Sequence, residues 1–375
     1  AEFIRADIAM SLRDENDPAR LRWELIEKPR CESEGWTTSV TQGGSFAREP
    51  LFRRGFPWCA ALSPGQFLAN ADRILACAPV TGLAYRGADA GANKLFASSH
   101  FARITSLRVH SANLTERAVD ALVTSPHTAL EELDVRNHGF DQLASLALVR
   151  SPLFPRLTRL ELGSGFPGGE AYVTAFAGVT NPTRLRDLTL TRVGLSSNDL
   201  PRLLTSRAVE NLDRLRLTGN PLGLAAQEAV SRLPLDRLRK LDLSSTNPGP
   251  EGLRALSTSL TLSRLERLGY ASNNISGQLL AELATCPEVS NLRVLDLSHN
   301  PLRDVGISAL ARSPHFAGLL VLNLSNCEVG DKGARALLES PLADTLVLLD
   351  LSGNRAIPVA TQDALKAKMG DRVRL

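Results

Sequence analysis

The chain of 375 residues is 43% hydrophobic but only 5% aromatic, which favours a core of aliphatic side chains. Its 43 basic and 40 acidic residues leave a net charge of +3. That balance is too even for a general polyanion-binding surface, so we expect no nucleic-acid partner. The sequence holds no run of about 18 apolar residues, the length that spans a bilayer, and we expect no membrane interaction.

Residue types that carry chemistry are scattered along the chain. The cysteines follow neither disulfide nor metal-ligand spacing, which favours a reducing compartment, and the opening residues form no signal sequence. No histidine falls in a metal-binding spacing, and the glycine-rich stretch 163–169 lacks the Lys and Ser/Thr of a phosphate-binding loop. We therefore expect a cytoplasmic protein with no catalytic residue, no cofactor and no metal.

Residues 1–50 do not repeat and predict a helical N-terminal cap. Asp17-Pro18 is typical of an N-cap followed by a first-turn proline, and it opens a helix that carries Leu21 and Leu25. We expect Trp23 and Trp36 to pack this cap against the first repeat. Apolar residues at helical spacing indicate an earlier helix, at Phe3, Ile4, Ile8 and Leu12.

Residues 51–79 predict a degenerate capping repeat. Pro57 to Leu62 has the pattern of a strand and Pro64 to Ala78 that of a helix. Terminal repeats must shield the open end of a core, and they depart from the consensus for that reason.

From residue 80 to residue 375 the chain repeats one unit, with a cap at its C-terminal end. Leu292 to Asn300, LRVLDLSHN, matches the leucine-rich-repeat frame L-x-x-L-x-L-x-x-N. The first position of that frame recurs at spacings of 24 to 28 residues, at Val80, Ile104, Leu130, Leu157, Leu185, Leu212, Leu238, Leu265, Leu292, Leu319 and Leu346. Each unit reads as a strand followed by a helix, and proline ends several of the helices.

A strand plus a helix in each unit resembles the ribonuclease-inhibitor class of leucine-rich repeats over residues 57–375. The resemblance implies an α/β fold, a curved solenoid or horseshoe with a parallel β-sheet on the concave face and α-helices on the convex face. Helices are wider than strands, about 10 Å against 4.8 Å, so stacking such units curves the sheet inward.

A second resemblance lies at the start of the chain. AEFIR, a helical hairpin and then FRRGF at 52–56 are similar to bacterial leucine-rich-repeat proteins that carry a short N-terminal repeat-companion domain. The match covers only the tail of that domain. It implies interaction scaffolding and assigns no catalytic residue.

Recurring small and polar residues indicate how the repeats pack. The asparagine position holds Asn220, Thr246, Asn273, Asn300, Cys327 and Asn354, whose side chains can bond backbone groups at the turns. Ala112, His138, Gly165 and Val193 replace it nearer the N-terminus. Gly252, Gly306 and Gly333 predict close approach of each helix to its strand. At the C-terminus Gly370 ends a helix, and we expect Val373 and Leu375 to form a strand beside Leu349 and Leu351.

The outward positions of the strands supply the candidate partner-binding site. One column changes from basic to aliphatic along the chain: Arg214, Lys240, Arg267, Val294, Val321 and Leu348. Beside the aliphatic end lie Asp296, Asn323 and Asp350. We interpret Val294, Val321 and Leu348 as an anchoring patch, bordered by charge, with the basic stretch orienting the partner. Three alternatives remain: strand propensity, cover by the protein's own tail, and mutual screening of ladder charges.

These patterns predict a monomeric, non-enzymatic interaction scaffold that recognises a protein or peptide partner on its concave face. One alternative is a regulator or inhibitor of an enzyme, ribonuclease-inhibitor-like or of GTPase-activating type, as other members of the class are. Another is the substrate-binding arm of a larger enzyme.

Overall fold

A computed structural model describes residues 2–29, 51–53, 56–77, 80–86, 91–110, 114, 116–125, 129–136, 142–163, 169–224, 228, 230 and 236–375. These residues form two compact units. The N-terminal unit comprises 1–15, 27–195 and 205–212, and the C-terminal unit comprises 16–26, 196–204 and 213–375. Among the described residues, no helix has the length and apolar character needed to cross a membrane.

The N-terminal unit alternates strands and helices after an opening helix, α1 (Glu2–Ser11). Its strands are β1 (Leu51–Arg53), β2 (Phe56–Leu62), β3 (Gly82–Arg86), β4 (Ser106–His110), β5 (Glu132–Val135), β6 (Arg159–Gly163) and β7 (Asp187–Thr191). Its further helices are α3 (Pro64–Cys77), α4 (Ala92–Ala97), α5 (Glu116–Val123), α6 (Gln142–Arg150) and α7 (Gly169–Ala177). The strands pair in chain order, β1 with β2 antiparallel and the others parallel.

The C-terminal unit contains α2 (Pro18–Arg22), which a π-helical turn continues (Trp23–Glu27). Its strands are β8 (Arg214–Arg216), β9 (Lys240–Asp242), β10 (Arg267–Gly269), β11 (Val294–Asp296), β12 (Val321–Asn323), β13 (Leu348–Asp350) and β14 (Val373–Arg374). Its other helices are α8 (Asp199–Leu204), α9 (Gly249–Ser257), α10 (Leu260–Arg264), α11 (Gly277–Leu283), α12 (Arg303–Arg312), α13 (Asp331–Glu339), α14 (Leu342–Thr345) and α15 (Val359–Met369). All these strands pair parallel in chain order.

The core lies between strands and helices because the middle leucine of each short strand points away from the outward column. Leu268, Leu295 and Leu322 are at most 1% exposed and lie in register on neighbouring strands. One fully buried leucine per strand gives each repeat the same inner layer. The predicted fold class, an α/β leucine-rich-repeat solenoid, is confirmed.

Both chain ends have the predicted helix termini, and the predicted C-terminal strand is present but ends at Arg374, which leaves Leu375 outside it. Asp17 caps α2, and its side chain accepts hydrogen bonds from the backbone N–H groups of Ala19 and Arg20. At the other end Gly370, at φ 62°, ends α15. The last strand then pairs parallel with β13, Val373 beside Leu349. Of the earlier predictions, those on residues 30–50, Ala112, His138, Gly165, Ala78 and the Arg-Gly of FRRGF lie outside the described residues.

The asparagine position forms the predicted ladder in the C-terminal unit. The Oδ1 atom of Asn300 accepts hydrogen bonds from the N–H groups of Asn273 and Ile275 at 2.9 and 3.0 Å. Its Nδ2 donates to the Leu297 carbonyl at 2.8 Å. Asn354, two repeats later, makes the equivalent bonds. Its Oδ1 accepts from the Cys327 N–H group, and its Nδ2 donates to the Leu351 carbonyl. Each asparagine therefore ties its own turn to the preceding repeat.

The recurring glycines serve a different contact from the one expected. A Cβ on Gly306 would lie 2.8 Å from the Cα of Gly277 in the neighbouring helix, and a Cβ on Gly333 would lie 2.8 Å from Asp304 Oδ1. The prediction of close helix-to-strand approach is wrong at these positions. Helix-to-helix approach requires the missing side chain, because successive helices stack at the small repeat spacing.

Candidate partner-binding site

The six residues of the predicted column lie on neighbouring strands in register. Arg214 pairs with Lys240, Lys240 with Arg267, and Arg267 with Val294. Val294 then pairs with Val321 and Val321 with Leu348. Neighbouring strands are about 4.8 Å apart, so the column is one continuous surface that is basic at one end and aliphatic at the other. We call this surface of the C-terminal unit, with the outward column beside it, the strand face.

The second outward column has a structural role that the sequence analysis did not assign. Asp296 Oδ1 accepts hydrogen bonds from Ser298 N and Oγ at 3.0 and 2.7 Å. Asn323 Oδ1 accepts from Ser325 N at 3.1 Å, and Asp350 Oδ1 accepts from Ser352 N at 3.0 Å. These side chains cap the turns that follow their strands. The recurring Asp/Asn-Leu-Ser pattern was the available signal in the sequence.

The aliphatic end of the strand face is covered by a segment from the other end of the chain. Leu21 of α2 is 2% exposed and forms one apolar cluster with Val321, Val347 and Leu348. Leu25 and Val294 pack against that cluster. Val321 and Leu348 are consequently only 9% and 4% exposed. This helix lies on β11 to β13.

Polar contacts hold the first residue of the segment, Asn16, beside β10. Asn16 Nδ2 donates to Glu266 Oε2 at 2.6 Å. The guanidinium of Arg267, in the basic part of the column, donates through Nε to Asn16 Oδ1 at 3.0 Å. The chain thus enters the strand face at the junction between its basic and aliphatic parts.

The far end of the segment is held by the last residues of the chain. Arg22 Nη1 and Nη2 donate to the two carboxylate oxygens of Asp371 at 3.3 and 2.8 Å. Arg374 of β14 donates through Nη2 to the Leu25 carbonyl at 3.1 Å, and its Nη1 lies 3.7 Å from Asp350 Oδ2. Residues 16–26, which we call the docked segment, therefore cross the strand face from β10 to β14.

The basic end of the column borders a small cavity of about 160 Å³ on the strand face, lined by residues of β8 to β11. Arg214, Arg216, Lys240 and Arg267 contribute positive charge to its wall, and Asp242 and Asp296 contribute negative charge. Burial, followed by the charge of Arg214, lowers the pKa of Arg267 below its usual value. The volume suits a single side chain rather than a small-molecule ligand, which typically needs about 300 Å³ or more.

Outward charges in the N-terminal unit pair with each other instead. Arg136 contacts Asp134 at 2.8 Å and Glu161 at 3.0 Å, and the bond to Asp134 raises the pKa of Arg136. Arg159 bridges Glu132 and Asp187 in the same way, at 3.5 and 3.2 Å. Mutual pairing between charged side chains on neighbouring strands therefore explains the outward charged residues in this part of the sheet.

Comparison with known proteins supports the repeat assignment. A sequence model of the family described as Leucine Rich repeat matches residues 290–311 and 319–338. Leucine-rich repeats are thus recognised in this part of the chain. No curated protein sequence matches it. Across the described residues, no group of three or more His, Cys, Asp or Glu side chains is arranged to hold a metal ion.

Three solved structures are similar to this chain at low sequence identity. In the yeast complex of Rad7 and Elc1, one chain is 16% identical at a TM-score of 0.55, with 93% of this chain and 88% of that chain covered. A protein of Bacteroides fragilis is 15% identical, with coverage of 79% and 82% and a TM-score of 0.43. A chain of the TLR13–ssRNA13 complex is 21% identical, with coverage of 73% and 36% and a TM-score of 0.45.

Proposed function

We propose that this leucine-rich-repeat protein is a non-enzymatic interaction scaffold that binds a protein or peptide partner on the strand face of its C-terminal unit. The packing of Leu21 against Val321 and Leu348 carries the proposal. It demonstrates that the outward aliphatic residues accept a leucine from a helix laid across the strands. Apolar anchors of that kind, set in a groove with charged edges, are how helical peptides are recognised.

The charges around the aliphatic patch suit orientation of the partner. Basic residues border the patch at the β10 end, and Asp371 and Arg374 border it at the β14 end. A partner helix with a basic residue near Asp371 would match the charge that Arg22 contacts there. Such complementarity contributes specificity more than affinity.

Several finer assignments belong to the same proposal. We further propose that the protein belongs to the ribonuclease-inhibitor-like class, which its strand-plus-helix repeats support, and that its partner is a protein rather than a nucleic acid, which the even charge supports. We propose a cytoplasmic monomer that needs no cofactor. An enzyme regulator or the binding arm of a larger enzyme would use the same strand face, so affinity capture with surface variants identifies the binding surface in each case.

Affinity capture with two matched variants tests the proposal. Val321→Glu puts a charge in the patch, whereas Val305→Glu puts the same charge on α12, where Val305 is already 62% exposed. We expect Val305→Glu to capture the same proteins as the wild type. The amount of these proteins captured by Val321→Glu should fall by roughly tenfold or more. Both variants should retain the wild-type circular dichroism spectrum. Equal capture by a folded Val321→Glu chain would contradict the proposal.

A further inference from the structure

The docked segment is added to a repeat surface whose inner core is already complete. The leucines that face the helices, such as Leu295 and Leu322, are fully buried on the opposite side of the strands. The segment contacts outward side chains, Val321 and Leu348 among them. Removing it would expose the anchoring patch while leaving the leucine layer of each repeat intact. The segment therefore behaves as a ligand of the sheet rather than as part of its core.

The contacts of the docked segment combine a small apolar cluster with exposed polar contacts. Two of its apolar side chains are buried, Leu21 at 2% and Trp23 at 7% exposed, and Leu25 packs against the Leu21 cluster. Its bond to Asp371 joins two side chains that are 38% and 44% exposed, and exposed ion pairs contribute only about 0–1 kcal/mol. Elements with few buried contacts open at a lower free energy than the fold as a whole.

We propose that residues 16–26 are an intramolecular ligand of the partner site, and that the partner is a helix with leucines four residues apart which displaces them. The inference rests on the proposed function, because it names the chemistry of the partner. Leu21 and Leu25 reach the patch, Arg22 reaches Asp371 and Asn16 reaches Glu266 and Arg267. A partner helix takes over these contacts, beginning with the two leucines.

Competition follows from the covalent link between the segment and the sheet. A tethered ligand has an effective concentration that reaches about the millimolar range for short flexible linkers. An external helix therefore binds with an apparent Kd equal to its intrinsic Kd divided by the fraction of molecules whose site is free. Release of the segment should strengthen binding of the external helix without any change in the strand face.

A labelled peptide with the sequence of residues 16–28 provides the external helix, and two leucine variants of the full chain provide the test. Leu21→Glu removes the buried anchor. Leu12→Glu makes the same change at a leucine that is 73% exposed. By fluorescence anisotropy we expect Leu21→Glu to bind the peptide roughly tenfold or more tightly than either the wild type or Leu12→Glu. Adding Val321→Glu to the Leu21→Glu chain should abolish the gain.

A charge swap provides a second variant that leaves every apolar contact in place. Arg22→Glu sets like charges against each other at Asp371, so it should also raise peptide binding. Combining it with Asp371→Arg restores the pair inside the chain while opposing the Arg22 of the peptide. The double variant should therefore bind the peptide no better than the wild type. This rescue distinguishes displacement of the docked segment from a general loss of structure.

Three results would overturn the inference. They are equal peptide binding by the wild type and Leu21→Glu, no binding by any variant, and binding that Val321→Glu does not affect. None of them decides the proposed function, which is measured by capture of external proteins with Val321→Glu against Val305→Glu. Loss of that capture together with a failed peptide experiment would leave a partner-binding strand face whose occupant does not resemble the docked segment.

Discussion

Asn300 shows how one side chain joins neighbouring repeats. It is 1% exposed, and its amide bonds backbone groups of its own turn and of the repeat before it. Cys327 holds the same position one repeat later, where its thiol donates to the Leu297 carbonyl at 3.2 Å. Burial raises the pKa of that thiol to about 11, so it stays protonated at neutral pH. The neutral thiol of Cys327 thus supplies one of the hydrogen bonds that an asparagine amide would donate at this position.

The Asn300→Ala substitution should lower the free energy of unfolding by roughly 1–3 kcal/mol, because it leaves buried backbone N–H and carbonyl groups without partners. Asn291→Ala is the matched control, since Asn291 is exposed and donates one hydrogen bond, to the Ser263 carbonyl at 2.6 Å. Denaturant unfolding of both variants measures the difference. An equal or larger loss at Asn291 would contradict the ladder assignment.

The residue-scale predictions succeeded where a repeated pattern supplied independent copies of the same signal. Recurrence of Asn273, Asn300 and Asn354 at one position identified the ladder. The turn-capping role of Asp296 was not predicted, although Ser298 follows two residues later. A short polar side chain that can bond its own turn does so before any partner arrives.

At the scale of elements, the spacing between stacked helices is set by glycine. Gly306 of α12 lies against Gly277 of α11, where any added Cβ would meet backbone. The period of the sequence predicted the strands and helices well, because each unit repeats the same inward and outward positions. It did not predict which neighbour a glycine faces, since helix-to-helix and helix-to-strand contacts have the same sequence spacing.

Gly306→Ala should therefore destabilise the protein by about 1–3 kcal/mol, the usual cost of overpacking, despite the better helix propensity of alanine. Gly65 provides the contrast, because it lies in α3 and a Cβ added there would have no atom within 4 Å. Gly65→Ala should leave the melting temperature unchanged or raise it. A melting temperature for Gly306→Ala at or above the wild type would show that the two helices can separate without loss.

At the scale of the whole molecule, the candidate site depends on a contact that no local pattern encodes. Residues of the docked segment bond partners 250 to 349 positions away in the sequence. The sequence located the aliphatic patch and named cover by the protein's own tail as an alternative. It could not indicate that the covering residues come from the N-terminal end, because Leu21 and Leu25 fit a cap helix equally well.

Hydrogen–deuterium exchange of the intact chain tests the central claim most directly. A helix as short as Pro18–Arg22 with its π-helical turn has no stability of its own, so its amides are protected only while it is docked. We predict that amides of residues 21–27 exchange roughly tenfold or more slowly than in the free peptide, and that Leu21→Glu but not Leu12→Glu removes this protection. Exchange in the wild-type chain as fast as in the free peptide would contradict the account.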